Sequence, residues 1–281
     1  MTIARPEGVQ FVAELRRSGW SAVDEVTRVT DVRALGPYRL VEVDCSEALA
    51  AGRPGQFMMI RPLAARTLVR RPFTIYRGDT ERNRAQIVFR VTGPGTSALA
   101  ALEPGDWVSV LGPLGNGFRL AVASERAIVI GRGVGMASLH GLATSALQRG
   151  LTVTVLASAR DDGQWLEPDA LRRAGAEVTT VDDASGNSGV DHVEHILESH
   201  FAAGGAAAFV CGSSRLIRLA ARLGHRHGAS VQVAVEAPMA CGIGTCHACP
   251  VAPLGATEGP LVCLDGPVFE TRIQNLEAVI A

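Results

Sequence analysis

The order of apolar and polar residues divides the chain into two regions with different periodicities. In the first region apolar and polar side chains alternate, most clearly over Tyr38–Asp44. Such alternation is typical of a strand with one buried face. Further strands are predicted over residues 56–61, 73–76, 85–91 and 107–111, with glycine and proline turns between them. Short strands at this spacing predict a small antiparallel β-barrel over residues 21–124.

From residue 125 onward, apolar strands alternate with helices. Residues 127–131 form a continuous apolar run that ends in glycine, and further strands are predicted over residues 151–157 and 206–212. A helix is predicted after the first run, because apolar residues recur on one of its faces: Leu139, Leu142, Ala143 and Leu147. This alternation predicts a parallel sheet over residues 125–234, with a nucleotide-binding crevice at the carboxyl ends of its strands.

The two ends of the chain fall outside this pattern. Residues 1–20 are predicted to form an N-terminal extension with a short helix, and residues 235–281 are marked by their cysteines. Four of the six cysteines of the chain lie within 23 residues: Cys241, Cys246, Cys249 and Cys263. The first three have the plant-type spacing C-x4-C-x2-C that wraps a [2Fe-2S] cluster, with a fourth thiolate from further along. The last segment is therefore predicted to hold such a cluster.

Zinc and disulfides are the alternatives for these cysteines. A structural zinc site usually has two C-x2-C pairs, or cysteines and histidines at finger spacing, whereas this chain has one C-x2-C and a wider arm. His247 lies between two of the cysteines, but we expect its side chain to point outward. Disulfides would need an oxidising compartment, and the N-terminus lacks the apolar core of a signal peptide. The spacing favours iron and sulfur over both alternatives.

Composition narrows the choice of partners and location. The chain has 281 residues, of which 47% are hydrophobic and 20% charged, and its formal net charge is −1. A nearly neutral chain gives no reason to expect nucleic acid or an anionic membrane as a partner. No apolar run approaches the roughly 20 residues that would span a bilayer. We therefore expect a cytoplasmic protein, in which the thiols stay available to metal.

Two motifs of the predicted barrel favour a flavin nucleotide. Residues 70–74, Arg-Arg-Pro-Phe-Thr, place arginine beside a hydroxyl, and this pair can hold a diphosphate by charge-assisted hydrogen bonds. Taken alone, the motif also suits a soluble edge strand. Residues 93–96, Gly-Pro-Gly-Thr, form a turn before a predicted helix, whose N-terminus attracts anions. Together the two motifs indicate a bound flavin.

A third motif follows the first parallel strand. Gly131, Gly133 and Gly135 have the spacing G-x-G-x-G, which is short of the full dinucleotide fingerprint and also suits a tight strand–helix turn. Cys211 and Gly212 end a later strand, where a small thiol could lie against a nicotinamide ring or be a plain buried cysteine. For each motif, a role in binding a nicotinamide nucleotide and a purely structural role both stay open.

The adenosine end of the predicted crevice does not decide between NADH and NADPH. Ser158 or Arg160 could bind a 2′-phosphate, whereas one of the two aspartates after Arg160 could bind the ribose of NAD.

From about residue 26 to residue 270 the chain resembles the electron-transfer subunits of class 1B dihydroorotate dehydrogenases, a branch of the ferredoxin-reductase superfamily. The resemblance is carried by these segments: 70–74, 89–91, 93–96, 111–118, 236–249 and 263–269. It implies a ferredoxin-reductase-like fold, with an antiparallel FAD-binding barrel, a parallel-sheet nucleotide-binding domain and a C-terminal cysteine loop.

The resemblance also implies roles for individual residues. Positions matching the FAD-binding segments are Arg71, Pro72, Phe73, Thr74, Val88, Phe89, Arg90, Gly95 and Thr96. Positions matching the nicotinamide-nucleotide region are Gly131, Gly133, Gly135, Cys211 and Gly212. Positions matching the cluster ligands are Cys241, Cys246, Cys249 and Cys263. No acid–base catalyst is predicted, because hydride transfer needs none.

The implied function is electron transfer between NAD(P)H, FAD and a [2Fe-2S] cluster. Members of the family pass single electrons to a separate FMN-bearing catalytic subunit, with two copies of each subunit in a hetero-oligomer. Three positions depart from the family pattern: Arg132 replaces a glycine, Ser213 a proline and Pro238 a basic residue. Two other functions stay open. One is a reductase that feeds a different oxidoreductase or oxygenase, and the other is a non-catalytic redox-sensing or zinc module.

Overall fold

The computed structural model describes residues 22–64, 69–121, 124–251 and 259–270. The strands in these ranges are β1 (Val23–Leu35), β2 (Tyr38–Asp44), β3 (Phe57–Pro62), β4 (Arg71–Thr74), β5 (Arg77–Asp79), β6 (Arg84–Phe89), β7 (Trp107–Leu114), β8 (Arg126–Arg132), β9 (Thr152–Ala159), β10 (Glu177–Asp182), β11 (Ala206–Cys211), β12 (Ser230–Ala234) and β13 (Val268–Glu270). The α-helices are α1 (Glu47–Ala50), α2 (Pro94–Ala100), α3 (Met136–Gln148), α4 (Pro168–Arg173), α5 (Val190–Ala202) and α6 (Ser214–His227). The predicted extension, residues 1–20, lies outside the described ranges.

The first seven strands form one antiparallel sheet in the order β4-β3-β7-β1-β2-β6-β5. Strand β1 is long enough to pair with both β7 and β2, and its register shifts between Val29 and Asp31. A shift of this kind bends a strand, so the sheet curls around a core that includes Val41, Ile60 and Val110. The curled sheet confirms the predicted antiparallel architecture.

The chain crosses between the two edges of this sheet through Ile75 and Tyr76. The amide of Ile75 donates to the carbonyl of Gln56 at 2.9 Å, and that of Tyr76 to the carbonyl of Gln86 at 2.8 Å. The predicted strand over 73–76 is therefore wrong in its second half. Ile75 and Tyr76 are both buried and join the edge of β3 to the edge of β6 instead of extending β4.

The second sheet has the order β10-β9-β8-β11-β12-β13, and all its pairs are parallel except that of β12 with β13. Ile128 and Ile130 of β8 pack towards helices α5 and α6, whereas Ala127 and Val129 pack towards α3. Helices on both faces explain why this strand is apolar at every position. The predicted parallel sheet is confirmed.

The helices in the described ranges are all too short or too polar to cross a membrane.

The cysteine segment is tied to both sheets. It leaves β12 and returns as β13, which pairs with β12, and the amide of Val235 donates to the carbonyl of Pro267 at 2.8 Å. The side chain of Asn116, just after β7, donates to the carbonyls of Leu264 and Asp265 at 3.2 and 3.0 Å. The segment thus lies where the two sheets meet. The boundaries predicted near residues 124 and 234 stay predictions.

Candidate functional site

A cavity of about 500 Å³ lies where the curled sheet, the parallel sheet and the cysteine segment meet. Seven of the nine residues predicted to bind FAD line it: Pro72, Phe73, Thr74, Val88, Phe89, Arg90 and Thr96. Two residues predicted for the nicotinamide nucleotide also line it: Gly135 and Cys211. The structure therefore brings segments that are distant in sequence to one site.

The other predicted residues are not among those that line the cavity: Arg71, Gly95, Gly131, Gly133 and Gly212. Gly95 allows the side chain of Arg71 to approach the start of α2, since a Cβ atom on Gly95 would lie 2.8 Å from Nε of Arg71. The neighbouring Arg70 is engaged elsewhere, because its Nη2 donates to Asp24 and Ser109. Arg71 is exposed. Of the two adjacent arginines, Arg71 is thus the one available to an anion.

Thr96 shapes the turn before α2. Its Oγ1 accepts hydrogen bonds from the amides of Thr92 and Gly93 at 2.9 and 3.0 Å. The same hydroxyl donates to the carbonyl of Gly93 at 2.9 Å. The hydroxyl is therefore engaged within the turn, and Thr96 is one of the residues that line the cavity.

The glycines after β8 permit a close crossing of two connections. Gly131 and Cys211 are paired in register at the carboxyl ends of β8 and β11. A Cβ atom on Gly135 would lie 2.9 Å from the carbonyl oxygen of Cys211, and one on Gly212 would lie 2.6 Å from that of Arg132. In an open parallel sheet, ligands bind where the strand order reverses. That point lies between β8 and β11, at the wall of this cavity.

Cys211 is a buried, protonated thiol. Burial raises its pKa to about 12, and the nearby carboxylate of Glu236 acts in the same direction, against a hydrogen bond with Ser138. Ser138 and Glu236 also line the cavity. A thiol in this state is a small apolar wall group and not a nucleophile.

Sequence reasoning missed Glu236 as a cavity residue. It lies two positions beyond the end of β12, and partial desolvation raises the pKa of its carboxyl although the residue is exposed at the cavity. The signal that could have found it is a carboxylate just past a strand end in a nucleotide-binding sheet.

The four predicted cluster ligands converge as two pairs. The buried thiols of Cys249 and Cys263 have their Sγ atoms 3.3 Å apart. Sγ of Cys241 accepts hydrogen bonds from the amides of Ile243 and Cys246 at 3.4 and 3.5 Å. Among the described residues, no three histidine, cysteine, aspartate or glutamate side chains already form a closed metal-binding group.

The loop fits a [2Fe-2S] cluster by its donor chemistry and its backbone. Gly242 and Gly244 have φ values of 73° and 81°, which favour glycine, and a Cβ atom on Gly244 would lie 2.2 Å from Leu264 Cδ1. Burial raises the pKa of Cys241, but hydrogen bonds from the amides of Cys246 and Ile243 outweigh it and bring the value to about 7. The thiolate is the form that binds metal. His247 is exposed, as expected from the sequence.

Two known protein families match parts of the chain. Residues 41–118 match the oxidoreductase FAD-binding domain, which covers most of the curled sheet. Residues 236–273 match the iron-sulfur cluster binding domain of dihydroorotate dehydrogenase B, which covers the cysteine segment.

Solved structures with the same architecture include that of an NADH-dependent reduced ferredoxin-NADP oxidoreductase. Its TM-score is 0.73 at 22% identity, over 90% of this chain and 92% of the other. The ferredoxin reductase in carbazole 1,9a-dioxygenase has a TM-score of 0.63 at 17% identity, over 75% and 68% of the two chains. These likenesses confirm the ferredoxin-reductase-like fold.

Relatives of known function match most of the chain. The dihydroorotate dehydrogenase B (NAD(+)) electron transfer subunit of Streptococcus mutans is 32% identical over 253 residues, 86% of this chain and 95% of the relative. The subunit of the same name from Bacillus caldolyticus is 36% identical over 223 residues, 77% and 84% of the two chains. The chain belongs to the family of dihydroorotate dehydrogenase B electron transfer subunits.

Proposed function

We propose that this chain is an NAD(P)H-dependent FAD and [2Fe-2S] oxidoreductase subunit that exchanges electrons with an FMN-bearing dihydroorotate dehydrogenase. The observation that carries the proposal is the single cavity shared by the flavin motifs, the switch point of the parallel sheet and the start of the cysteine segment. When bound, FAD exchanges electrons with a nicotinamide in pairs, and a [2Fe-2S] cluster exchanges them singly.

The curled sheet supplies groups suited to FAD. Arg71 offers an exposed guanidinium to the diphosphate, and Gly95 leaves space for that side chain. Phe73 and Phe89 have ring centroids 5.1 Å apart on the cavity side, and Val88 continues the apolar surface. An apolar wall with a few polar groups is the usual composition of a cofactor site. The remaining residues proposed to bind FAD are Pro72, Thr74, Arg90 and Thr96.

The parallel sheet supplies the proposed nicotinamide site. Gly131, Gly133 and Gly135 shape the turn after β8, and Gly212 lets the chain after β11 pass close to it. The protonated thiol of Cys211 gives this part of the cavity a small, water-excluding wall. These residues bind and orient a nicotinamide nucleotide, and none of them needs to move a proton.

The proposed cluster ligands are Cys241, Cys246, Cys249 and Cys263. Cys249 and Cys263 are buried against the core, whereas Cys246 and the residues beside it are exposed. The exposed side of the loop is therefore the face we propose for docking the catalytic subunit in a hetero-oligomer. All described cysteines are free, and reduced thiols fit a cytoplasmic location.

The test begins with anaerobically purified protein. We expect about two irons per flavin and the paramagnetic signal of a reduced two-iron centre. NADH should bleach the flavin of the isolated subunit. A dihydroorotate dehydrogenase catalytic subunit that carries FMN should co-purify with it. The resulting complex should reduce NAD⁺ with electrons from dihydroorotate. A colourless, zinc-loaded protein contradicts the proposal and supports the zinc module. A normal cluster and flavin that serve only another oxidoreductase or an oxygenase would identify a different partner.

A further inference from the structure

Asn116, which lies just after β7, contacts the chain immediately beyond Cys263, the fourth proposed cluster ligand. Its side-chain Nδ2 donates to the carbonyls of Leu264 and Asp265 at 3.2 and 3.0 Å. Its backbone amide donates to the carbonyl of Gly266 at 2.6 Å. One residue at the end of the curled sheet therefore binds each of the three residues that follow Cys263.

The residue before Asn116 has to be small for this contact to form. Gly115 has a φ value of 73°, and a Cβ atom on it would lie 2.8 Å from the carbonyl oxygen of Gly266 and 2.5 Å from Cδ of Pro267. The curled sheet and the cysteine segment are thus in backbone contact at this point. A side chain between them would move Asn116 away from the carbonyls that it binds.

Gln56 connects the same turn to the proposed flavin site. Its Nε2 donates to the carbonyl of Gly115 at 2.8 Å, and its Oε1 accepts from the amide of Arg53 at 2.9 Å. The backbone carbonyl of Gln56 accepts from the hydroxyl of Thr74 at 3.3 Å, and Thr74 lines the cavity. Gln56 is 6% exposed. A buried side chain with satisfied hydrogen bonds holds its partners in one arrangement, so the turn is fixed relative to the cavity.

The rest of the cysteine segment is held independently of Asn116. Strand β13 pairs with β12, and the amide of Val262 donates to the carbonyl of Cys249 at 2.8 Å. Loss of the side-chain hydrogen bonds of Asn116 would therefore leave the segment folded. It would release the link between Cys263 and the curled sheet.

We propose that Asn116 is a positioning residue for electron transfer between FAD and the cluster. It binds the chain beside Cys263 to the turn that Gln56 fixes, and so it sets the position of the cluster relative to the flavin. Reacting groups depend on a fixed geometry, and a displacement of about 1 Å can slow a reaction by about a hundredfold. The inference rests on the proposed function, because it assumes that FAD and a [2Fe-2S] cluster bind at these two places.

The test compares wild type, N116D and the matched control N83D, each loaded with FAD and cluster. Aspartate has the size of asparagine but no N–H to donate, so its carboxylate would face the carbonyls of Leu264 and Asp265 without a hydrogen bond. Asn83 is exposed in the turn between β5 and β6, at the β5 edge of the curled sheet. NADH supplies two electrons to FAD, and two molecules of cytochrome c each take one of them by way of the cluster.

N116D should keep the iron content of wild type and its rate of flavin bleaching by NADH. Reduction of the cluster by the flavin, and of cytochrome c by the cluster, should slow at least about tenfold. Dithionite should reduce the cluster in both proteins and give the same paramagnetic signal. N83D should match wild type in every measurement. N116S, which retains one donor, should slow the transfer less, and it replaces N116D in the test if N116D does not fold.

Wild-type transfer from flavin to cluster in N116D overturns the inference. Iron loss with normal transfer in the molecules that keep their cluster also overturns it, because Asn116 would then only stabilise the loop. If NADH does not bleach the wild-type flavin, the proposed function fails. Light-driven reduction of the flavin then still compares its transfer to the cluster in wild type and N116D.

Discussion

The hydroxyl of Tyr38 in the curled sheet donates a hydrogen bond of 2.7 Å to the backbone carbonyl of Gln164, in the loop after β9 of the parallel sheet. Three other side chains of the curled sheet hold the same loop. Arg90 donates to the amide oxygen of Gln164, and Tyr76 and Arg77 donate to the carboxylate of Glu167. These bonds fix the position of one half of the cavity relative to the other.

Replacing Tyr38 by phenylalanine should loosen that connection. The loss of one hydrogen bond, with the carbonyl of Gln164 left without its partner, should lower the free energy of unfolding by about 1–2 kcal/mol. The variant should also lose FAD more readily on dilution. Urea denaturation and flavin fluorescence measure the two effects.

The control for this variant is T30V, because the hydroxyl of Thr30 donates to Glu42 at 2.8 Å within the curled sheet alone. It should lower stability without raising the rate of flavin loss. If Y38F retains FAD as firmly as the control, the bond to Gln164 does not position the cavity.

Acid should destabilise the protein through His140 of α3. Burial and the adjacent charge of Arg77 lower its pKa from 6.5 to about 4, against the opposite effect of Glu167. The unfolded chain keeps the ordinary value, so it takes up a proton first as the pH falls. The free energy of unfolding should therefore drop by roughly 3 kcal/mol as the pH falls from 6.5 towards 4.

Denaturation curves across this range measure the effect in wild type, H140Q and H225Q. His225 is exposed near the end of α6 and serves as the control. H140Q should lose most of the dependence on pH in this window, and H225Q should keep it. If the stability of H140Q depends on pH as strongly as that of wild type, another group causes the loss of stability in acid.

Replacing Glu236 by glutamine should stabilise the protein and slow its reaction. Desolvation raises the pKa of this carboxyl above 4.5 in the folded state. The protonated carboxyl therefore contributes to the stability of the folded state below pH 4.5, and this contribution is lost as the pH rises through the folded pKa. Because Glu236 is exposed and solvent screens its charge, E236Q should unfold at only a slightly higher temperature than wild type near neutral pH, with no difference in acid. Flavin reduction by NADH should be slower, because the carboxylate faces the cavity beside Cys211.

The matched control for E236Q is E81Q, which removes an exposed carboxylate from the turn after β5. It should leave both the unfolding temperature and the rate unchanged. A variant E236Q with unchanged stability at every pH would show that the carboxyl is not desolvated.

Replacing Cys246 by serine should abolish the proposed cluster while leaving the reaction of the flavin intact. Without this thiolate the cluster should be lost, so iron content and reduction of a one-electron acceptor such as cytochrome c should fall at least about tenfold. The flavin should still bleach with NADH. C45S is the control, because Cys45 follows β2 far from the cysteine segment, and burial raises its pKa to about 12. Full iron content in C246S would remove Cys246 from the ligand set.

Alanine at Gly244 should disrupt the cluster loop by sterics alone. The added Cβ atom would meet Leu264 Cδ1 at 2.2 Å, and the φ value of 81° adds about 1–2 kcal/mol of backbone strain. We expect reduced iron content with all four cysteines present. Gly189→Ala is the control, since its φ is −57° and a Cβ atom there meets nothing within 4 Å. Equal iron in both variants would contradict the expectation.

The features that the sequence predicted best are those with local causes. Strand β2 has the bounds expected from its alternation, because its apolar residues face the core and its polar residues do not. The apolar strand β8 and the turn after it follow from burial on both faces and from the close approach at Gly135. The spacing of the cysteines alone predicted that Cys249 and Cys263 would come together, and their thiols are in contact in the structure.

The features that escaped prediction depend on contacts between distant parts of the chain. Strands β5 and β13 have three residues each, too few for a periodic signal, and exist because β6 and β12 offer free edges. Arg132 departs from a glycine pattern, and no local pattern predicts its ion pair with Asp183, 51 residues away. The hydrogen bonds to the loop after β9 likewise join residues that no local pattern connects.

Met239 lines the cavity, and Cys241 follows it after one residue. The wall of the proposed flavin site thus continues along the chain into the first proposed ligand of the cluster. An extra residue inserted before Cys241 would therefore displace the proposed cluster loop relative to the cavity while leaving every proposed ligand in the chain.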